Sequence, residues 1–262
     1  MEQSKYLATG ITAVKAAETE IISQFKKTNK QVTQKADGSP VTIADKNAEE
    51  IIRHVLTSHF PEHGFIGEEY GKNQEKTEYT WVIDPIDGTK NFSRNIPYFA
   101  TELALFKKNE LILGISNAPL LKKMLTAEKG SGAFINQNKR LSVSKVSSIE
   151  EAYITIGSIK YFDSLGKLTT LSKLNSKCAG MKGFGDTWSY HFLAEGKLDA
   201  IIEAKTNVWD FAACAAIITE AGGTATNLQG LPLTTETKTF LASNTHIHAK
   251  LVDFFKRDYH QN

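Results

Sequence analysis

Five acids in three short motifs could do chemistry together: Glu68 and Glu69 in "GEEYG", Asp84 and Asp87 in "VIDPIDGT", and Asp210 in "NVWDF". Each motif follows an apolar stretch, which places its carboxylates at the edge of a buried core. Ionised acids are costly there without a partner, and none of the three motifs contains an arginine. Taken singly, each has a plain structural reading. Glu68 and Glu69 would be a solvated loop, Asp84 and Asp87 turn formers, and Asp210 a helix N-cap. Taken together they repel one another unless hard cations bind between them. Oxygen donors without a neighbouring Cys or His favour magnesium over zinc, and the seven histidines form no HExxH motif.

"GTKNF" supplies the other half of a reaction. Gly88 lets the backbone approach a ligand, and Thr89 offers an amide and a hydroxyl. A short helix beginning near Asn91 would aim its free amides at an anion beside the metals. Magnesium and backbone amides suit phosphoryl transfer, where positioning and charge neutralisation supply most of the catalysis. Two metals about 3.5–4 Å apart would clamp the attacking and leaving oxygens. The expected chemistry is Mg²⁺-dependent hydrolysis of a phosphate ester. A haloacid-dehalogenase-type phosphatase also uses strand-end aspartates, but spaces them two apart, whereas Asp84 and Asp87 are three apart. A non-catalytic, metal-dependent anion-binding module is the reading outside enzymology.

The elements that must hold these residues alternate along the chain. Leu7, Ile11, Val14, Ile21, Ile22 and Phe25 recur at helical spacing, and "DKNAEEIIRHVLTSHF" reads as a second helix with Asp45 as its N-cap. A turn and a short strand are expected over Lys35 to Asp45. "GFI", "YTWVI", "FATELALF", "LILGISNA" and "KMLTAE" read as strands. Beyond about residue 145, "AYITIG", "CAGMKGF", "LDAIIE" and "TKTFLAS" read as strands among the helices "DTWSYHFLAEG", "DFAACAAIITEAGG" and "HAKLVDFFKRD". No linker divides residues 1–145 from 146–262, so a single α/β domain over 1–262 is expected. With 41% hydrophobic residues, the 262-residue chain can bury a large core. A net charge of +2 with dispersed lysines argues against nucleic-acid or membrane partners. The first residues lack the apolar run of a signal peptide, and Cys178 and Cys214 form no CxxC pair, so a cytoplasmic protein with reduced thiols is expected.

The combination "SPVTIAD…GEE…WVIDPIDGT…WDFAA", with "MLTAEKGSGAFIN" and "ITEAGG", resembles the inositol monophosphatase family over nearly the whole chain. The resemblance implies a layered α-β-α-β-α sandwich, usually a homodimer, with lithium-sensitive, Mg²⁺-dependent phosphatase activity. It implies two to three Mg²⁺ ions. Glu68, Asp84 and the Ile86 carbonyl would hold the first, Asp84, Asp87 and Asp210 the second, and Glu68 with waters a third. The amides of Gly88 and Thr89 would take the phosphate, Asp45 and Thr89 would orient and activate the attacking water, and Glu69 would stand behind the ligands.

"GFGDTWSYHF", "KADGSPVT" and "GEEYG" are similar to the histidinol-phosphatase branch of that family. Histidinol phosphate carries an ammonium and an imidazole, so Asp186 could pair with the cation and Trp188 stack on the ring. The bland reading makes Asp186 a helix cap and Trp188 core. Glu203 matches the family position on the leaving-group side. An inositol-1-monophosphatase or a broad sugar, polyol or nucleotide phosphatase is the alternative within the family.

Overall fold

The chain begins with α1 (Lys5–Phe25), capped by Ser4 Oγ, which accepts from the Leu7 N–H at 3.2 Å. A computed structural model describes residues 3–27, 32–34, 40–73 and 77–257; the turn expected over residues 35–39 lies outside them. Leu7, Gly10, Val14, Ala17 and Ile21 form one buried stripe of α1. A ribbon of β1 (Thr33–Gln34) and β2 (Pro40–Val41) leads into α2 (Ile43–His59), buried along Ala44, Ala48, Ile52 and Leu56. Both helices therefore present a 3.6-residue period of small and branched apolar side chains.

An eight-stranded sheet follows. It contains β3 (Gly64–Gly67), β4 (Gly71–Asn73), β5 (Tyr79–Asp87) and, after the short helix α3 (Thr89–Ser93), β6 (Ala100–Lys107). The meander β7 (Glu110–Ala118), β8 (Lys123–Glu128), β9 (Gly132–Ile135) and β10 (Lys139–Arg140) completes it. The spatial order is β10-β9-β8-β7-β6-β5-β3-β4, with β3 parallel to β5. Period-two alternation splits its side chains. Trp81, Ile83, Leu103 and Leu105 pack on α1 and α2, while Val82, Ala104 and Phe106 face the other way.

The second half places β11 (Tyr153–Ile156), α4 (Ile159–Ser164), α5 (Leu168–Asn175), β12 (Gly180–Lys182), α6 (Asp186–Ala194) and β13 (Ala200–Glu203) in succession. It ends with α7 (Val208–Glu220), β14 (Gly223–Thr226), β15 (Phe240–Asn244) and α8 (Thr245–Arg257). Its five strands lie in the order β12-β11-β13-β15-β14. Ile201, Phe240 and Ala242 face α6 and α7, while Ala200, Ile202 and Leu241 face α4, α5 and α8. The layers are thus α1/α2, sheet, α6/α7, sheet, α4/α5/α8. α7 is apolar on every side, from Phe211 through Ile218, because a sheet covers each flank. Its approach is close: a Cβ on Gly114 of β7 would lie 2.2 Å from the Ala213 carbonyl oxygen.

Candidate active site

The site begins where β5 breaks. Asp84 shares a face with Val82, toward α6 and α7, and is 2% exposed. Pro85 has no N–H for the ladder, and the β5–β6 register slips between Asp84 and Asp87. The Ile86 N–H turns back to donate to Asp84 Oδ1 at 3.0 Å. Gly88 then takes φ +98°, and a Cβ there would sit 2.9 Å from the Tyr98 carbonyl, so this turn requires glycine. α3 starts at Thr89 rather than near Asn91. The amides of residues 91 and 92 are consequently spent on the Gly88 carbonyl. Thr89 Oγ1 lies 3.1 Å from both Asp45 Oδ1 and the Ile86 carbonyl, sharing its hydrogen between them.

Two of the expected N-caps are not caps. Thr42 caps α2, and Asp45, three residues further, accepts from its N–H at 2.7 Å and its Oγ1 at 2.6 Å, both on Oδ2. Asn207 likewise caps α7, and Asp210 Oδ2 accepts the Asn207 N–H at 2.7 Å and Thr206 Oγ1 at 3.2 Å. The reason is the capping box, in which an acid at the third helical position reaches back to the cap's own amide. The helices start earlier than their acids suggest.

A pattern emerges across the cluster. Asp87 Oδ2 accepts the Thr187 N–H at 2.6 Å. Each of Asp84, Asp87 and Asp210 therefore has one oxygen fixed by a backbone amide, while Asp84 Oδ2, Asp87 Oδ1 and Asp210 Oδ1 receive no donor among the described residues. Burial is the main influence on these three acids, and the charges acting on them are other carboxylates rather than a cation. Burial, then Glu68, pushes Asp84 well up, and burial, then Asp186, does so for Asp87. Burial lifts Asp210 to about 7 against the Asn207 hydrogen bond. Asp45 rises to about 6 through burial, opposed by Thr42. Among the described residues, no three acids, histidines or cysteines close a metal site by themselves. The donor chemistry nevertheless fits hard cations: oxygen ligands, pre-aimed, each with a free lone-pair face and mutual repulsion to relieve.

Glu68 leaves β3 with its N–H on the Ile83 carbonyl at 3.1 Å. The turn behind it is held by Glu49 of α2, which accepts the N–H groups of Glu69 at 2.8 Å and Tyr70 at 3.3 Å and pairs with Arg53 at 2.8 Å. A Cβ on Gly67 would lie 1.8 Å from Glu49 Oε1, so that glycine makes room for the carboxylate. Sequence reasoning missed Glu49. Its only signal was a second acid, one turn after Asp45, on the buried flank of α2.

A cavity of about 560 Å³ opens over the cluster, lined by Glu68, Asp87, Gly88, Thr89 and Asp210. Asp186, Glu203, Tyr190, Phe184 and Tyr161 also line it, with the exposed Lys90 and Lys205. Asp186 opens α6 at φ +43° after the true N-cap Gly185, and its Oδ2 accepts from Asn91 Nδ2 at 3.0 Å. Burial raises its carboxyl, against Lys90. Glu203 is lifted to about 8 by burial, then by Asp186 and Asp210. Glu69 and Trp188 do not line the cavity. Trp188 is 7% exposed and packs edge-on against Tyr98 and His191 and beside Phe192, so its ring is not offered for stacking. Helix periodicity turns it inward, and the aromatic walls are Phe184, Tyr161 and Tyr190 instead.

Residues 2–257 match the model of the inositol monophosphatase family. The chain is 36% identical to a histidinol-phosphatase of Streptomyces coelicolor, covering 93% of this chain and 94% of that one. It is 35% identical to an inositol-1-monophosphatase of Caulobacter vibrioides, covering 86% and 91%. The solved structure of the extragenic suppressor protein suhB from Bartonella henselae superposes with a TM-score of 0.88 at 30% identity, covering 97% and 99%. The chain belongs to the inositol monophosphatase family and is a phosphoric monoester hydrolase.

Proposed function

We propose that the protein hydrolyses histidinol phosphate to histidinol and phosphate, using two to three Mg²⁺ ions. Asp186 and Glu203 carry this reading: two acids that line the cavity together with the phosphate-facing turn, Asp186 held there by Asn91 of α3, suit a leaving alcohol that bears positive charge. Phe184 and Tyr190 offer apolar faces to its imidazole. The free oxygens of Asp84, Asp87 and Asp210, with Glu68 and the Ile86 carbonyl, would hold the metals. When bound, Mg²⁺ would neutralise the phosphoryl oxygens and acidify the attacking water.

The chain's own groups do the rest. The amides of Gly88 and Thr89 fix the phosphate. Thr89 Oγ1 orients the water and Asp45 Oδ1, 3.1 Å away, takes up the proton through it. A carboxyl titrating near about 6 is suited to that exchange near neutral pH. Glu69, behind the ligands, steadies the turn that carries Glu68.

An inositol-type or broader monophosphatase is the second reading, favoured by the exposed Lys90 and Lys205 that line the cavity and by the name of the Caulobacter vibrioides relative. A phosphate-release panel decides between them: histidinol phosphate, inositol 1-phosphate, fructose 1,6-bisphosphate and 3′-phosphoadenosine 5′-phosphate. Preference for inositol 1-phosphate would overturn the first reading. The same proposal takes residues 1–262 as one domain, homodimeric and cytoplasmic. No described helix is long and apolar enough to cross a membrane.

A further inference from the structure

Glu102 is a buried acid that the reaction does not use. It stands on β6 directly opposite Asp84, is 1% exposed, and points into the apolar layer with Ala104 and Phe106. A leucine would fill such a place without the cost of burying a carboxylate.

Three donors meet Glu102, each from a different element. Ser116 Oγ of β7 donates to Oε1 at 2.6 Å, Thr187 Oγ1 of α6 donates to the same oxygen, and Cys214 Sγ of α7 approaches Oε2 at 3.4 Å. Ser116 Oγ, its hydrogen given to Glu102, accepts in turn from His191 Nε2 at 2.6 Å. This assigns the Nε2–H tautomer to His191. Residues 187 and 191 lie one turn apart on α6, so Glu102 anchors that helix at two points and fixes its rotation. Cys214 lies one turn beyond Asp210 on the same side of α7.

Thr187 carries the connection onward. Its hydroxyl is held by Glu102, its N–H donates to Asp87 Oδ2 at 2.6 Å, and the preceding residue is Asp186. A shift of Thr187 therefore moves both the amide that aims Asp87 and the acid on the cavity wall. We propose that Glu102 is a positioning residue that, through Thr187, ties the Asp87 carboxylate to the substrate-facing end of α6, so that metal affinity and preference for a cationic alcohol are set together. This rests on the reading of Asp87 as a metal ligand and Asp186 as the cation-facing group.

Thr187→Val removes the hydroxyl and keeps the amide; Thr187→Ser keeps both. Mg²⁺ binding is measured by calorimetry on the purified protein, and kcat and KM are measured for histidinol phosphate and inositol 1-phosphate. For Thr187→Val, Mg²⁺ should bind about 3- to 10-fold more weakly. The ratio of kcat/KM between the two substrates should shrink by about 5- to 20-fold, chiefly through KM for histidinol phosphate. Thr187→Ser should restore both quantities. Glu102→Leu should reproduce the valine variant, and where it fails to fold Thr187→Val decides alone. A valine variant that melts lower but keeps wild-type Mg²⁺ affinity and substrate ratio would overturn the linkage, leaving Glu102 a purely structural group. Wild-type protein without Mg²⁺-dependent turnover of either ester would instead overturn the functional reading and the linkage with it.

Discussion

Asp210→Asn should stabilise the metal-free protein while abolishing its activity. Asp210 Oδ2 accepts from the Asn207 N–H and Thr206 Oγ1, and an amide oxygen can accept both, so the first turn of α7 survives. What disappears is a charge that the fold resists. Burial, with the Glu68 and Asp186 charges adding, moves this carboxyl from 3.8 to about 7. At about 1.36 kcal/mol per pKa unit, full ionisation then costs the folded state ~4 kcal/mol. The folded state holds this proton more tightly than the unfolded chain does. The stability it contributes is therefore complete below pH 3.8 and is lost as pH rises through about 7. The group borders a solvent-accessible cavity and its shift is shared with neighbouring acids, so roughly half, ~2 kcal/mol, is what the substitution should return. For a chain of this size that corresponds to a rise in Tm of roughly 4–8 °C. Saturating Mg²⁺ should reverse the order, because it stabilises only a site that keeps its ligand charge. Thermal unfolding by circular dichroism at pH 8, in chelator and in Mg²⁺, tests both halves, with phosphate release recorded in parallel. A variant that melts at or below wild type in chelator, or that gains as much from Mg²⁺, refutes the reasoning.

Asp186→Asn should lower kcat/KM for histidinol phosphate by roughly ten- to a hundredfold, the value of a charge-assisted hydrogen bond, and leave inositol 1-phosphate nearly unchanged; equal losses on both would make the residue structural. Gly67→Ala should cost roughly 1–3 kcal/mol in denaturant unfolding and most of the activity, since its Cβ would displace the Glu49 carboxylate that holds the Glu68–Glu69 turn; a normally active alanine variant would show that the turn tolerates movement. Excess chelator should stop hydrolysis and lithium should inhibit it, both read by phosphate release, and undiminished turnover in chelator would remove metals from the mechanism.

The clustering of Asp84, Asp87 and Asp210 was legible because each ends an apolar run, and a carboxylate so placed needs an explanation that local chemistry supplies. The strands were legible for a related reason: residues 81–83 and 103–106 alternate faces against two helical layers, and that period survives in the sequence. Helix starts were not. Asp45 and Asp210 look like caps because acids favour helix N-termini, but the reciprocal box places the cap three residues earlier, at Thr42 and Asn207. α4 and α5 had no expected element, being short, interrupted by Gly166, and partly exposed at Ile159, Leu165 and Leu168. Trp188 was misread because a chemically attractive ring next to Asp186 need not share its direction; two residues along a helix is more than half a turn. Glu49 and Glu102 act through partners about 20 and 85 residues away, a relation that spacing along the chain does not encode.

α7 touches a sheet on each side, and at Gly114 the spacing is so small that not even a methyl group fits. Asp210 rides on that helix. The working end of the molecule is thus set by the thickness of its middle, and the protein resembles a vice whose jaws are two sheets. Mutational tolerance should follow that geometry rather than distance from the substrate. Exposed positions near the cavity rim can drift, while one added carbon at Gly114 must part the jaws, tilt α7 and misdirect Asp210 without touching any reacting group. Lineages seeking new substrates from this scaffold would be expected to rewrite the rim and leave that seam alone.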